Sequence, residues 1–94
     1  MVLGKVIGSV WATRKDGKLE KMKFLLVRHL DFDLKFKDSF VVAVDGVGAG
    51  AGEIVLVASG SSARMTEMTD EKPVDAVIMA IVDKLDIEPD WNKD

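Results

Sequence analysis

Gly46, Gly48, Gly50 and Gly52 stand at alternate positions between two valine-rich runs, 41–44 and 54–57, with the carboxylates Asp45 and Glu53 at either end. Glycine lacks Cβ and lets a second backbone or a phosphate approach closely, so a stretch this dense is the first place to look for chemistry. Gly46, Gly48 and Ala51 meet G-x-G-x-x-A, and Asp70 and Glu71 lie about where a ribose-binding acid would follow. A pyrophosphate site needs a helix to open at those glycines so that its amides and dipole face the anion. Here Glu53-Ile54-Val55-Leu56-Val57 follows, a run of strand formers that begins with a carboxylate. A P-loop is weaker still, because Gly-Lys-Ser/Thr occurs nowhere. The spacing therefore reads as a connection between two neighbouring strands that bends tightly or meets another subunit.

The remaining reactive side chains do not assemble into a motif. His29 is the only histidine, and no nucleophile and orienting acid stand at a recognisable spacing from it. Residues 59–62, Ser-Gly-Ser-Ser, lack the G-x-S-x-G elbow. Asp45 and Glu53 can be imagined as paired catalytic carboxylates, but capping the turn or pairing with a cation such as Arg64 across an interface explains them more simply. Asp31 and Asp33 resemble the start of a calcium loop that Lys35, Lys37 and a missing glycine spoil. With no cysteine and one histidine, disulfides, thiolate metal sites and cysteine nucleophiles are excluded, and neither a metal nor a cofactor is expected.

The elements that must hold these residues are mostly strands. Residues 2–12 are β-rich with Gly4 and Gly8 spaced for a strand bent at a barrel corner, and neither face of the strand is purely polar. Trp11 is expected to cover one end of the core, and Asp16-Gly17 to supply the left-handed residues of a hairpin turn. Strands follow at 22–30, 40–45 and 53–59, while 31–38 alternates as a strand extension or hairpin arm. Residues 61–65 read as one helical turn capped by serine. Beyond Pro73, placed as a first helical residue, Val74, Val77, Ile78, Ile81, Val82 and Leu85 fall at helical spacing, so the pattern predicts an amphipathic C-terminal helix, widened by Ala76, Met79 and Ala80. Residues 86–94 are a polar tail, apart from Trp91, that is expected to fray.

Ninety-four residues make a single domain with a thin core, burying about 60 to 65% of the unfolded surface. Yet 48% of the residues are hydrophobic, so part of the apolar surface is expected to face a partner. No apolar run approaches the roughly 20 residues of a membrane span, and residues 1–5 carry no charged leader before a hydrophobic stretch, so a cytoplasmic protein is expected. A formal charge of −3 argues against nucleic acid, and Asp16 and Glu20 interrupt the cluster of Arg14, Lys15, Lys18, Lys21 and Lys23.

Several blocks, taken in order, carry a resemblance. Met1 with LGKVIGSVWATRK at 3–15, FLLV at 24–27, the pattern VAVDxxGAGxGExVLV at 42–57 and GSSAR at 60–64 are similar to the CcmL/EutN family of bacterial microcompartment vertex proteins, over the chain up to Leu85. The charged and aromatic alternation at 31–38 departs from the glycine-containing turn usual between strands two and three of that family. The resemblance implies a mainly β fold, a small OB-like closed β-barrel with a C-terminal α-helix, that assembles as a cyclic homopentamer. Such a ring plugs the fivefold corners of a shell whose facets are tiled by hexameric shell proteins, which implies a structural protein without catalytic activity in the microcompartment shell. Carried onto this chain, Gly48, Ala49, Gly50, Gly52 and Glu53, with Ser61, Ser62 and Arg64, are expected at subunit contacts or near the ring axis. A head-to-tail ring needs two different patches per chain, which the glycine-dense loop and the broad helix would supply. The alternative is an OB-type single-stranded nucleic-acid-binding module using Trp11, Phe24, Phe32, Phe36 and Phe40 as stacking platforms, which the acidic balance opposes.

Overall fold

The computed structural model describes residues 1–13, 15–19, 21–67, 69–70 and 74–93. Five strands, β1 (Val2–Val10), β2 (Phe24–Leu30), β3 (Phe36–Asp45), β4 (Ile54–Ser59) and β5 (Ala76–Ile81), close into a barrel in the order β1-β2-β3-β5-β4. All neighbouring strands are antiparallel except β3 and β5, which run parallel through Val44↔Val77 and Asp45↔Ile78.

The barrel is narrow, and its lining is correspondingly small. Val6, Leu25, Val27, Ala43, Val55, Val57, Ala76 and Ile78 fill the interior, joined by Ala49 from the glycine loop. Gly4 is required by close approach. A Cβ there would collide with Val27 Cγ1 and stand 3.1 Å from the Arg28 carbonyl oxygen. A second cluster lies outside the wall, where Val44, Ala58 and Val77 are covered by Ala63 and Val74, with Leu19, Met22 and Phe24 packed alongside.

The C-terminal α-helix expected from the spacing of Val74, Val77, Ile78, Ile81, Val82 and Leu85 does not form. Residues 76–81 are strand β5, the piece that closes the barrel, and among the described residues the only helical segments are 3-10 turns at Gly17–Leu19 and Gly60–Arg64. The physical reason lies in which faces are covered. Ala76 and Ile78 point into the barrel while Val77 points into the outer cluster, so both faces of the strand are buried at this end. A strand buried on both sides reads as an unbroken apolar run, and such a run satisfies a helical template as readily as a strand template. The concentration of Val and Ile favoured the strand. Pro73 lies outside the described residues.

Other local expectations shift. Trp11 does not cover the core; it is 93% exposed. The β1–β2 connection is a long excursion with a 3-10 turn rather than a tight hairpin, and among its described residues the left-handed one is Lys21 (φ 77°), not Gly17. The turn at Gly60–Arg64 is present, but the Ser59 side chain makes no capping hydrogen bond. Residues 31–35 form a turn closed by Leu34 N–H donating to Asp31 O at 2.8 Å and Asp31 N–H to Lys35 O at 2.9 Å, with Leu34 left-handed (φ 65°). β3 therefore begins at Phe36, four positions before the 40–45 strand expected. Beyond β5, Val82 N–H still donates to Ile54 O, and farther along Trp91 packs edge-on against Phe32, ring centroids 4.9 Å apart. Among the described residues no helix is long and apolar enough to cross a membrane.

Candidate functional site

The glycine loop between β3 and β4 is tied down from within. Asp45 Oδ1 accepts hydrogen bonds from the backbone N–H of Val47 (3.0 Å) and Ala49 (3.1 Å), and Glu53 Oε1 accepts from Gly50 N–H (2.6 Å). Glu53 N–H donates to Gly50 O, while Gly52 N–H and Val6 O, and Val6 N–H and Glu53 O, pair the end of the loop with β1. The two flanking carboxylates thus cap the turn, as one of the sequence readings has it. They hold amides that a phosphate would otherwise claim, so an anion would have to displace charge-assisted bonds, one exposed and two half-buried, to bind here.

Two of the four glycines have a reason inside the chain. Gly48 (φ 76°) and Gly52 (φ 86°) are left-handed, a conformation that costs an L-residue roughly 1–2 kcal/mol. Between them Ala49 turns inward and is 1% exposed, so the loop plugs the mouth of the barrel. A Cβ on Gly48 or Gly52 would meet open space, and one on Gly50 would sit 3.4 Å from its own Glu53 Oε1.

The second group of expected site residues is attached elsewhere. Ser61, Ser62 and Arg64 lie on the 3-10 turn after β4, exposed, and the Arg64 guanidinium donates to Val74 O at 3.1 Å. Glu53 and Gly60 flank opposite ends of β4, whose six residues span about 20 Å. The fold therefore does not gather 48–53 and 61–64 into one site within a chain. Nor does Arg64 pair with Asp45 or Glu53 in the same subunit; its partner is a carbonyl.

His29 is placed at a bulge. Between Arg28↔Phe40 and Leu30↔Phe36 the β2–β3 register shifts, so that residues 37–39 face His29 alone, and His29 Nδ1 is 2.7 Å from Ser39 Oγ. Arg28 holds the bulge, with Nε donating to Lys37 O at 3.0 Å and the guanidinium 4.7 Å from the centre of the Phe36 ring. Among the described residues no three of His, Asp and Glu converge as metal ligands. The aromatics are dispersed: Phe24 is half-buried beside the outer cluster, Phe32 faces Trp91, Phe36 lies under Arg28, and Phe40 and Trp11 are exposed.

Sequence reasoning expected exposed apolar surface but did not place it; it lies on the outside of the barrel. Ile7, Leu26, Phe40 and Val42 stand together on β1, β2 and β3, with Leu26 directly opposite Val42 and Arg28 opposite Phe40. The mixed faces of the first strand were its signal. Round the barrel, Gly46, Val47, Thr66, Glu67, Val77, Ile78 and Met79 line an open cleft of about 480 Å³.

Fold and loop together define a small closed-barrel protein whose glycine loop is an internally braced plug. The family model described as "Ethanolamine utilisation protein EutN/carboxysome" matches residues 1–83, and the chain belongs to that family. It is 46% identical over 86 residues to the bacterial microcompartment shell vertex protein GrpN of Rhodospirillum rubrum, covering 92% of this chain and 97% of that one. It is 42% identical over 88 residues to the carboxysome shell vertex protein CcmL of Synechococcus elongatus, covering 94% and 89%. Among solved structures, the pentameric microcompartment shell protein GrpN superposes with a TM-score of 0.86 at 44% identity, over 94% of this chain and all of that one. CcmL of Gloeobacter violaceus superposes at 0.89 with 38% identity, over 94% and 91%.

Proposed function

We propose that this chain is a structural vertex subunit of a bacterial microcompartment shell, that it assembles as a homopentamer, and that it carries no catalytic activity. The observation that supports this most directly is the match, over the full length of the relative, to a barrel whose solved form is described as a pentameric shell protein. The geometry of closure supplies the role. A sheet tiled by hexamers is flat, and it becomes a closed polyhedron only where fivefold units are inserted. The partners are therefore further copies of this chain and the hexameric shell proteins around it, and the location is the shell of a compartment in the cytoplasm. Neither nucleic acid nor a cofactor enters this reading.

Within the ring, Gly48, Ala49, Gly50, Gly52 and Glu53, with Ser61, Ser62 and Arg64, are read as lying at subunit contacts or near the fivefold axis. The open space beside Gly48 and Gly52 in the single chain is compatible with a neighbour's close approach. Native mass spectrometry tests the reading, which requires a mass five times the 10.3 kDa of one chain. Co-assembly with hexameric shell proteins tests the role. Closed particles should form with this chain and open sheets or tubes without it; a monomer at high concentration, or closed shells formed equally well in its absence, refutes it.

A further inference from the structure

The most basic stretch of this acidic chain surrounds Trp11, which is 93% exposed. Between Trp11 and Phe24 the sequence has five basic residues against two acidic ones, in a chain whose formal charge is −3. Arg14 and Glu20 of this stretch lie outside the described residues. The frame beneath the cations is anchored to the barrel. Leu19 and Met22 pack against the outer cluster, Met22 N–H donates to Leu19 O at 3.1 Å, and Asp45 N–H donates to Lys23 O at 2.9 Å. Asp16 Oδ1 accepts from Lys18 N–H at 2.8 Å at the start of the 3-10 turn.

Past the last β1–β2 pair, Val10↔Phe24, the strands part and leave a cleft of about 190 Å³. Val10, Trp11, Met22 and Phe24 give it apolar walls, and Lys15 and Lys23 stand in the lining, the Lys15 ammonium 5.4 Å from the centre of the Phe24 ring. Among the described residues no carboxylate lines it. Asp45 commits its carboxylate to the glycine loop, and Asp75 lines a neighbouring groove that shares Phe24. Elsewhere Lys35, Lys37, Lys84 and Lys93 each pair with an aspartate, whereas among the described residues Lys15, Lys18, Lys21 and Lys23 form no ion pair. The cleft is below the range of about 300–1,000 Å³ typical of sites for whole small molecules, so it suits a single large side chain.

We infer that the parted ends of β1 and β2, with the connection between them, form a docking surface for an acidic peptide segment of another protein. One large apolar side chain of that segment enters the cleft beside Trp11, and its flanking carboxylates meet Lys15, Lys18, Lys21 and Lys23. An exposed tryptophan at the edge of an apolar pocket is the usual anchor of such a contact, and the unpaired lysines around it select and steer an acidic partner. A peptide fits better than a nucleic acid. Trp11 is the one fully exposed ring here, where a strand of bases needs several stacking platforms, and the remainder of the chain repels a polyanion. The chain's own acidic tail carries a similar anchor in Trp91, but that ring is already packed against Phe32.

Fluorescence anisotropy of labelled peptides on the assembled full-length protein tests the inference. The peptides EEGFGEE, EEGSGEE and KKGFGKK separate the anchor from the charge. EEGFGEE binds, EEGSGEE binds at least about tenfold more weakly, and KKGFGKK does not bind. Trp11→Ala, and Lys15→Glu combined with Lys23→Glu, each weaken EEGFGEE by about tenfold or more, with the wild-type mass in native mass spectrometry and wild-type melting by circular dichroism. Lys37→Glu, at a lysine paired with Asp31, is the control and leaves binding within about twofold. Absence of EEGFGEE binding, equal binding of the serine peptide, or a Trp11→Ala protein that binds like the wild type overturns the inference. So does tighter binding of single-stranded oligothymidylate through the same residues. A Trp11→Ala protein that loses its assembly makes the patch a contact between copies and overturns it too. The shell reading survives each of these results and fails separately, on a monomeric wild type.

Discussion

Gly4→Ala should destabilise the barrel through a single added carbon. Gly4 sits on β1 opposite His29, and the added Cβ points at Val27, which is fully buried and stiff at χ1. The second neighbour, the Arg28 carbonyl at 3.1 Å, belongs to the sheet backbone and yields little. Overpacking of this kind costs about 1–3 kcal/mol. Against it stands the lower entropy of an unfolded chain with alanine in place of glycine, about 0.4–1 kcal/mol in favour of the variant. The difference spans about 0–2.6 kcal/mol, and a neighbour that is sheet backbone and cannot yield excludes its low end, which leaves an expected loss of about 1–2 kcal/mol. For a domain of this size each kcal/mol moves Tm by about 4–8 °C, so thermal unfolding should shift down by about 4–16 °C. Protein concentration must be held fixed, because assembly raises apparent stability by mass action. The control is Gly4→Ala combined with Val27→Ala, which opens room for the new methyl. The pair should couple by more than about 0.5 kcal/mol, the double variant losing less than the two singles together. A Gly4→Ala protein that melts with the wild type, or strictly additive losses, would refute the argument that this glycine exists for interior space.

Asp45→Ala leaves the amides of Val47 and Ala49 without their acceptor and should cost about 1–3 kcal/mol in urea unfolding, with faster hydrogen exchange at those two amides, whereas Asp45→Asn keeps an acceptor and should lose less. Ala49→Leu should cost about 1–3 kcal/mol by overfilling the barrel mouth, read as a lower urea midpoint. Gly52→Ala, forced to φ 86°, should lose about 1–2 kcal/mol, while Gly50→Ala should stay within about 0.5 kcal/mol of the parent in the same titration. Gly50→Leu, by contrast, should weaken the ring and leave the barrel folded, so a full-sized oligomer by light scattering counts against a contact there. Phe32→Ala and Trp91→Ala should each cost about 0.5–1.5 kcal/mol, and the double variant no more than the larger single, if the two rings act as one contact.

How far the chain could be read before folding depended on how local the deciding forces were. Strand β4 carries Ile54, Val55 and Val57, whose β-branching favours strand within a few positions, and the family's ordered blocks point to a barrel. The role of Asp45 and Glu53 as turn caps was also legible, because a carboxylate two to four residues from a free amide needs no distant partner. The fate of residues 76–81 was not local at all. Whether that apolar run becomes helix or strand depends on its finding β3 on one side and β4 on the other, with Ala63 and Val74 to cover its outer face. The need for glycine at position 4 likewise exists only once Val27 stands across from it. Periodicity along a chain determines which residues want to leave water; which neighbour receives them is decided when strands far apart in sequence close the barrel, because burial is a property of the assembled surfaces and not of any segment.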